Sequence, residues 1–301
     1  MITVTNLVKR FDNFTALNDL TMKIDKGCVY GLVGSNGAGK STLLRLITGV
    51  YKADKGEIKV DGMDVYDNPD AKAKMVFVAD ELFFLPQASM NRMARLYAAS
   101  YPQFDWNRFR ELAAVFGLDT KANIGTFSKG MRRQAATILA LSCKAEYMFL
   151  DETFDGLDPV MRNLVKKVIY NDVAERGVTA IITSHSLREL EDTCDQLALL
   201  HQGGIVFESD IQNLKTALFK VQTAFPESFN RAKFEAVGIH IVSYTQMGSV
   251  ATFIVRGERM ATEEKLRCMN PLLLDILPLN LEEVFIYEME ALGYAFKDIL
   301  M

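Results

Sequence analysis

One short segment of this chain has the residue types and the order that bind phosphate groups. It reads Gly34-Ser35-Asn36-Gly37-Ala38-Gly39-Lys40-Ser41 and fits the pattern G-x-x-x-x-G-K-[S/T]. In this pattern the glycines let backbone N–H groups turn toward a phosphate, at the positive end of the following helix. The lysine reaches the β- and γ-phosphates, and the last hydroxyl is a ligand for Mg²⁺. The segment therefore predicts a nucleoside-triphosphate site with Lys40 on the phosphates and Ser41 on the metal.

A strand before this loop and a helix after it are needed to hold it in place. Val29–Val33 is a short apolar run that predicts a buried strand, and residues 42–47 place apolar side chains on one side of a helix. With all fixed positions filled between a strand and a helix, we favour a nucleotide site over a glycine-rich turn without ligand. Nucleotide contacts are expected from the whole loop and from Thr42.

Two carboxylates follow a second apolar strand. Tyr147–Leu150 is fully apolar, and Asp151 and Glu152 come directly after it. Ligands bind at the carboxyl ends of strands in open parallel sheets. At such an edge Asp151 is suited to hold Mg²⁺, usually through water, and Glu152 is placed to polarise the water that attacks the γ-phosphate. A solvated acidic turn is the alternative, and the phosphate loop upstream makes it the weaker one.

Three further segments have the same kind of placement. A serine and a glycine begin a predicted helix in Phe127-Ser128-Lys129-Gly130-Met131, where hydroxyl and N–H groups can bind an anion. Asp155-Gly156-Leu157-Asp158 follows the two carboxylates, and Thr183-Ser184-His185 ends the next predicted strand. Each segment alone fits an ordinary structural role, such as a helix cap or a histidine at a strand end. Their common order along one chain is what makes them informative.

In this order the motifs resemble those of the ATP-binding subunits of ATP-binding cassette (ABC) transporters, over roughly residues 1–210. The family signature LSGGQ corresponds to the Phe127–Met131 segment, which keeps the serine and the second glycine. The resemblance implies that Ser128, Gly130 and Asp158 bind nucleotide. It also implies that His185 contacts the γ-phosphate and orients the attacking water.

The resemblance also assigns an aromatic residue and a polar residue to the nucleotide. Phe11 lies where the family has the side chain that stacks on adenine; Phe14 is the alternative stacking residue, and Phe11 could instead be a half-buried core residue. The family glutamine that follows the strand Met75–Val78 is replaced here by Asp80, which can ligate Mg²⁺ or its water. Gln87 lies further along the chain and could be mistaken for that glutamine.

The expected fold class is α/β, with a P-loop NTPase core, an antiparallel β subdomain and a helical subdomain at about 85–145. We place the ATPase domain at 1–215 and a small α+β accessory or regulatory domain at 216–301, which carries no catalytic signature. Within it, Val250–Arg256 predicts a strand and residues 281–292 predict a helix.

Composition limits the class of protein further. The 301 residues carry a formal net charge of −4, so no overall basic character favours nucleic acid as a partner. No window approaches the apolar length of a membrane span. The four cysteines form no CxxC pair, and a reducing cytosol is therefore expected.

The resemblance implies a subunit that binds and hydrolyses ATP with Mg²⁺ and powers transport. Its partners are expected to be a second copy or a homologous ATPase subunit, in a head-to-tail dimer, and a separate integral membrane permease. This places the chain in the cytoplasm at the inner face of the cell membrane, in an export-type system. The alternatives are an ABC ATPase that acts on ribosomes or DNA, and a P-loop kinase or GTPase, which leaves the signature and His185 unexplained.

Overall fold

The structure is a computed structural model that describes residues 1–291, without the side chains of residues 215–217 and 291. The described residues divide into two compact units, Met1–Glu208 and a second unit that begins at Ser209. The domain boundary expected after residue 215 stays a prediction.

Strands and helices alternate through the first unit. In chain order its strands are β1 (Ile2–Phe11), β2 (Phe14–Ile24), β3 (Val29–Val33), β4 (Lys55–Val60), β5 (Met63–Asp64), β6 (Met75–Val78), β7 (Tyr147–Leu150), β8 (Thr179–Ser184), β9 (Gln196–His201) and β10 (Gly204–Asp210). Its helices are α1 (Lys40–Ile47), α2 (Pro69–Ala73), α3 (Met90–Ser100), α4 (Trp106–Val115), α5 (Lys129–Ser142), α6 (Pro159–Arg176) and α7 (Leu187–Glu191).

A six-stranded sheet in the order β10-β9-β3-β8-β7-β6 forms the centre of this unit. β3 pairs in parallel with β8 and β9, and β7 pairs in parallel with β8 and β6. Every residue of β3, β7 and β8 is buried, which explains why these strands are continuous apolar runs rather than alternating ones. Because the strands are parallel, the segments that follow β3, β8, β7 and β6 leave the sheet at one edge.

A second, antiparallel sheet has the order β2-β1-β4-β5 and shares its apolar core with the parallel sheet. Its strand β1 runs from Ile2 to Phe11. The register with β2 shifts beyond Val4, and Asn6 has a left-handed backbone with φ +47°. This β-bulge or irregularity breaks the alternation of buried and exposed residues, so the alternating pattern ends before the strand does.

Helices α3, α4 and α5 lie between β6 and β7, where the helical subdomain was predicted. Side chains cap each of them: Ser89 for α3, Asp105 for α4 and Ser128 for α5. Hydrogen bonds to the carboxylate of Asp105 lower its pKa to about 2, and the bond from Lys144 has the largest effect.

The second unit consists of α8 (Ile211–Ala217), β11 (Leu218–Ala224), α9 (Arg231–Glu235), β12 (Ile241–Met247), β13 (Val250–Arg256), α10 (Arg259–Arg267), β14 (Leu273–Pro278) and α11 (Leu281–Ala291). Its sheet has the order β12-β13-β11-β14, with antiparallel pairs, and from β11 to β14 the elements follow a β-α-β-β-α-β order. The small α+β domain is therefore confirmed, and so is the strand Val250–Arg256. Of the helix predicted at 281–292, Leu292 lies outside the described residues.

No helix within residues 1–291 has both the length and the apolar character needed to cross a membrane.

Candidate functional site

Four neighbouring strands bring the predicted side chains to one edge of the parallel sheet. The phosphate loop follows β3, and His185 follows β8. Asp151 and Glu152 follow β7, and Asp80 comes shortly after β6. These strands are adjacent in space in the order β3-β8-β7-β6, so segments far apart in sequence meet at their carboxyl ends.

The loop after β3 is shaped by two glycines that have no room for a side chain. A Cβ atom on Gly34 would lie 2.4 Å from the carbonyl oxygen of Leu200. Gly39 has φ +108°, and its Cβ would lie 2.8 Å from the carbonyl oxygen of Ala16. Gly39 is the residue before α1, and because it has no side chain it cannot cap that helix. The first N–H groups of α1 are therefore available to an anion in the loop.

A cavity of about 230 Å³ opens in front of this loop. Its lining combines the loop, the start of α1, one carboxylate from each of the two strand ends after β6 and β7, and one aromatic ring. The lining residues are Phe14, Ala16, Ser35, Asn36, Gly37, Gly39, Lys40, Ser41, Thr42, Asp80 and Glu152. Ala38 lines a neighbouring cavity, which shares with the first one the lining residues Phe14, Ala16, Ser35, Asn36 and Gly37.

Lys40 is almost fully buried, with 6% of its side chain exposed, and is held by three oxygen atoms. Its Nζ atom donates to the carbonyl oxygens of Gly34, at 2.6 Å, and Ser35, at 3.3 Å. The same atom lies 3.3 Å from Oε1 of Glu152. A phosphate that enters the loop must therefore compete with Glu152 for the ammonium group of Lys40.

Glu152 connects the lysine to the histidine. Its Oε2 atom lies 3.0 Å from Nδ1 of His185, whose side chain is 56% exposed. The backbone of Glu152 is left-handed, with φ +47°, and its N–H donates to Oγ1 of Thr183. A glutamate in this conformation is uncommon, and such strain occurs often at functional sites. The arrangement holds the carboxylate between a cation and an imidazole.

Asp151 is fully buried beside this group. Its Oδ1 atom accepts a hydrogen bond of 2.7 Å from Oγ1 of Thr183. Its Oδ2 atom is buried and has no hydrogen-bond partner among the described residues. A buried carboxylate oxygen without a partner is costly unless a cation or water binds it. Together with the hydroxyl of Ser41 and the carboxylate of Asp80, it supplies the oxygen ligands that Mg²⁺ prefers.

These residues do not form a complete metal site by themselves. Within the described part of the chain, no group of three or more His, Cys, Asp or Glu side chains is arranged to hold a metal ion. Mg²⁺ usually keeps several waters and takes further ligands from substrate phosphates, so it does not need a complete set of protein ligands.

Asp80 is engaged by an arginine that sequence reasoning did not single out. Its Oδ1 atom lies 2.8 Å from Nη2 of Arg133, and Nη1 of the same arginine donates to the carbonyl oxygen of Ala79. Asp80 and Arg133 are 53 positions apart, so no local pattern points to the pair. Thr183 was likewise missed as a functional residue, because a threonine at a strand end fits an ordinary β position.

The two candidate stacking residues are placed differently. Phe11 packs edge-on against Tyr51, with ring centroids 5.5 Å apart, and lines neither of the two cavities. Phe14 lines both cavities and is 60% exposed. The turn between β1 and β2 separates the two rings, and Phe14 is the one that lines the cavities.

Ser128, Gly130 and Asp158 line neither cavity. Ser128 caps α5 and Asp158 caps α6, each through its own side-chain oxygen. A Cβ atom on Gly130 would lie 2.9 Å from the carbonyl oxygen of Gly156. Nζ of Lys129 lies 2.7 Å from Oδ2 of Asp155, and this hydrogen bond lowers the pKa of Asp155. The signature segment and the 155–158 segment therefore contact each other.

Comparison with known proteins places these motifs in a family. The family pattern described as "ABC transporter" matches residues 17–155. The chain is 31% identical to "ABC transporter ATP-binding protein YtrB" of Bacillus subtilis (strain 168), over 95% of this chain and 97% of that protein. It is 30% identical to "Daunorubicin/doxorubicin resistance ATP-binding protein DrrA" of Streptomyces peucetius, over 72% of this chain and 67% of that protein.

A solved structure has the same fold. The "Structure of ATP binding subunit of ABC transporter" is similar with a TM-score of 0.67 and 24% sequence identity, over 71% of this chain and 92% of that chain. This likeness confirms the predicted P-loop α/β core.

Proposed function

The chain belongs to the ATP-binding cassette (ABC) transporter family, and on this premise we propose that it is the subunit whose ATP hydrolysis powers a separate membrane-spanning partner. As a member of this family it is an ATP-binding protein and an ATPase. The proposal concerns how the described residues use ATP and what that use drives.

The observation that carries the proposal is the contact of Glu152 with both Lys40 and His185 at the edge of the phosphate cavity. A carboxylate beside a phosphate-binding lysine can accept a proton from a water that attacks the γ-phosphate. The His185 imidazole, whose Nδ1 atom lies 3.0 Å from Oε2, orients this carboxylate. The family resemblance implies that it also contacts the γ-phosphate. Lys40 binds the β- and γ-phosphates once the nucleotide displaces Glu152.

Ser41, Asp151 and Asp80 are the residues that would hold Mg²⁺. When bound, this ion neutralises phosphate charge and polarises the γ-phosphoryl group. Thr183 keeps one oxygen of Asp151 occupied, and the other oxygen is buried without a hydrogen-bond partner among the described residues. The chain therefore offers the ion a hydroxyl and two carboxylates rather than a closed cage.

Two copies are proposed to share each nucleotide, in a head-to-tail dimer. Ser128, Gly130 and Asp158 line neither cavity, and their N–H and hydroxyl groups suit an anion from another copy. ATP between Lys40 of one copy and Ser128 of the other would stabilise the closed pair by mass action. A homologous ATPase subunit could take the place of the second copy.

The partner is proposed to be an integral membrane permease in an export-type system. Among the similar proteins, DrrA is a daunorubicin/doxorubicin resistance protein by name, which favours export over uptake. The chain would then lie in the cytoplasm, held at the inner face of the cell membrane by this permease. The second unit is proposed to regulate or stabilise the ATPase dimer and to perform no chemistry.

Replacing Phe14 by alanine is expected to weaken ATP binding by roughly tenfold, because base stacking on an aromatic ring contributes on the order of 1–3 kcal/mol. Phe11→Ala is the matched control and should leave the affinity near that of the wild type. Isothermal titration with ATP measures both variants, and titration with inorganic triphosphate should show no loss for either. A larger loss in Phe11→Ala would assign stacking to Phe11 instead.

The proposed function is tested by co-expression of the full chain with the multi-span membrane protein encoded next to its gene. We expect the two to copurify in detergent and the membrane protein to stimulate ATP hydrolysis in proteoliposomes. The Glu152→Gln variant should still copurify but show no stimulated hydrolysis, because assembly does not require proton transfer. If the permease copurifies but leaves the rate of ATP hydrolysis unchanged, coupling to this partner is contradicted.

A further inference from the structure

Asp80 brings a negative charge to a cavity that is built for a polyanion. It lines the cavity together with Lys40, Ser41 and Glu152. The corresponding family residue, to which the resemblance points, is an uncharged glutamine. A bare carboxylate at this place would repel the phosphates, and water screens this repulsion only in part. The chain must therefore either tolerate the repulsion or compensate the charge.

Arg133 is placed to compensate it. Its guanidinium contacts Oδ1 of Asp80 at 2.8 Å and the carbonyl oxygen of Ala79 at 3.1 Å. These two contacts use separate nitrogen atoms of the planar group, which fixes both the carboxylate and the backbone beside it. Arg133 lies on α5, shortly after the Ser128 cap. The compensating charge therefore comes from the helix that begins in the signature segment.

The two members of the pair differ in burial. Only 2% of the Arg133 side chain is exposed, whereas 55% of the Asp80 side chain is exposed. A buried guanidinium stays charged and is costly without a counter-charge. Nε of Arg133 has no hydrogen-bond partner among the described residues, so Asp80 and Ala79 are the contacts that stabilise it. The arginine and the aspartate therefore depend on each other.

We infer that Arg133 is a positioning residue of the ATP site: it holds Asp80 at the cavity and cancels its charge toward the phosphates. The ion pair then presents the electrostatics of an uncharged polar side chain at this edge, while the Asp80 carboxylate remains one of the groups that would hold Mg²⁺. This inference rests on the proposed ATP site and adds a residue that acts through Asp80. It predicts that the net charge of the pair, rather than either member alone, sets the affinity for ATP without metal.

Four variants of the full chain separate these contributions: Arg133→Met, Arg133→Lys, Asp80→Asn and the double variant Asp80→Asn/Arg133→Met. In EDTA, Arg133→Met should bind ATP roughly fivefold more weakly and Asp80→Asn roughly fivefold more tightly, the size expected for one partly screened unit charge. The double variant and Arg133→Lys should return close to the wild-type affinity. With saturating Mg²⁺ the loss in Arg133→Met should shrink, because the metal neutralises phosphate charge.

Arg132→Met is the matched control, since Arg132 is an exposed neighbour on α5 that contacts the carbonyl oxygen of Gly125. It removes the same charge without touching Asp80 and should leave ATP affinity unchanged. Thermal unfolding reports whether each variant folds; if Arg133→Met does not, Asp80→Asn and Arg133→Lys decide the question. Wild-type affinity in Asp80→Asn, or no rescue in a folded double variant, would overturn the inference. Failure of the wild-type chain to bind ATP would overturn the proposed ATP site as well.

Discussion

Replacing Lys40 by alanine is expected to weaken ATP binding by roughly 100-fold or more, since each hydrogen bond to a charged group contributes about 1.5–3 kcal/mol. Lys40 is the one cationic side chain among the described residues that line the phosphate cavity. Its removal also leaves Glu152 without the contact at 3.3 Å, so the carboxylate adds repulsion toward the phosphates. The loss should therefore exceed that from the missing hydrogen bonds alone.

Isothermal titration of the purified chain with ATP measures this loss. Lys52→Ala removes the same charge from an exposed lysine that lies over the ring of Tyr66, and it should bind ATP like the wild type. The double variant Lys40→Ala/Glu152→Gln should recover part of the affinity, because it removes the uncompensated carboxylate. Unchanged affinity in Lys40→Ala would contradict the assignment of the phosphate loop.

The same variant can test whether two copies share a nucleotide. Ser128→Asp keeps a side-chain oxygen to cap α5 but places a negative charge at the start of that helix. A mixture of Lys40→Ala and Ser128→Asp chains contains dimers in which one of the shared sites has both groups intact. ATP turnover should then rise above that of either variant alone. No rise on mixing would favour a site completed within one copy.

The parallel sheet could be predicted because its strands carry their own signal. β3, β6 and β7 are short apolar runs next to glycines or carboxylates, and their predicted bounds agree with the structure. Buried strands of a parallel sheet face apolar surroundings on both sides, so an uninterrupted apolar run is the expected pattern. The edge of the sheet that holds the site follows from the parallel direction alone.

The aromatic assignment depended on geometry that a sequence pattern does not contain. Phe11 and Phe14 flank one tight turn, and both are aromatic residues at plausible distances from the phosphate loop. Which ring faces the cavity depends on the bulged register between β1 and β2, and on Tyr51, which packs against Phe11. Only the three-dimensional arrangement distinguishes the two.

The long-range contacts of the two carboxylates Asp80 and Asp151 also could not be predicted from the sequence. Arg133 meets Asp80 across 53 positions, and Thr183 meets Asp151 across 32 positions. An arginine on a helix usually indicates a solvated face, and nothing near Arg133 signals that its side chain is buried. The charge of Asp80 could be noticed from the sequence, whereas its compensation could not.

Replacing Glu152 by glutamine is expected to slow ATP hydrolysis by roughly 100-fold or more, the lower range of what a positioned general base contributes. Glutamine keeps the length of the side chain and adds no atom near the left-handed backbone at this position, so the fold should be retained. It cannot accept a proton from water, and its amide still fits beside Nδ1 of His185. ATP binding should not suffer, because Lys40 loses its ionic contact with Oε1 and becomes freely available to the phosphates.

Slow hydrolysis together with undiminished ATP binding should trap the nucleotide on the Glu152→Gln variant. A chain that binds ATP as well as the wild type or better, but hydrolyses it slowly, should accumulate as an ATP-bound dimer. Size-exclusion chromatography with MgATP and with MgADP measures this, and we expect a dimer only with ATP. Glu146→Gln is the matched control, because this exposed glutamate contacts Lys26 and Lys74 away from the cavity. A Glu152→Gln chain that turns over ATP at the wild-type rate would show that another group accepts the proton. Slow hydrolysis without a dimer would instead retain Glu152 as the base and contradict the shared site.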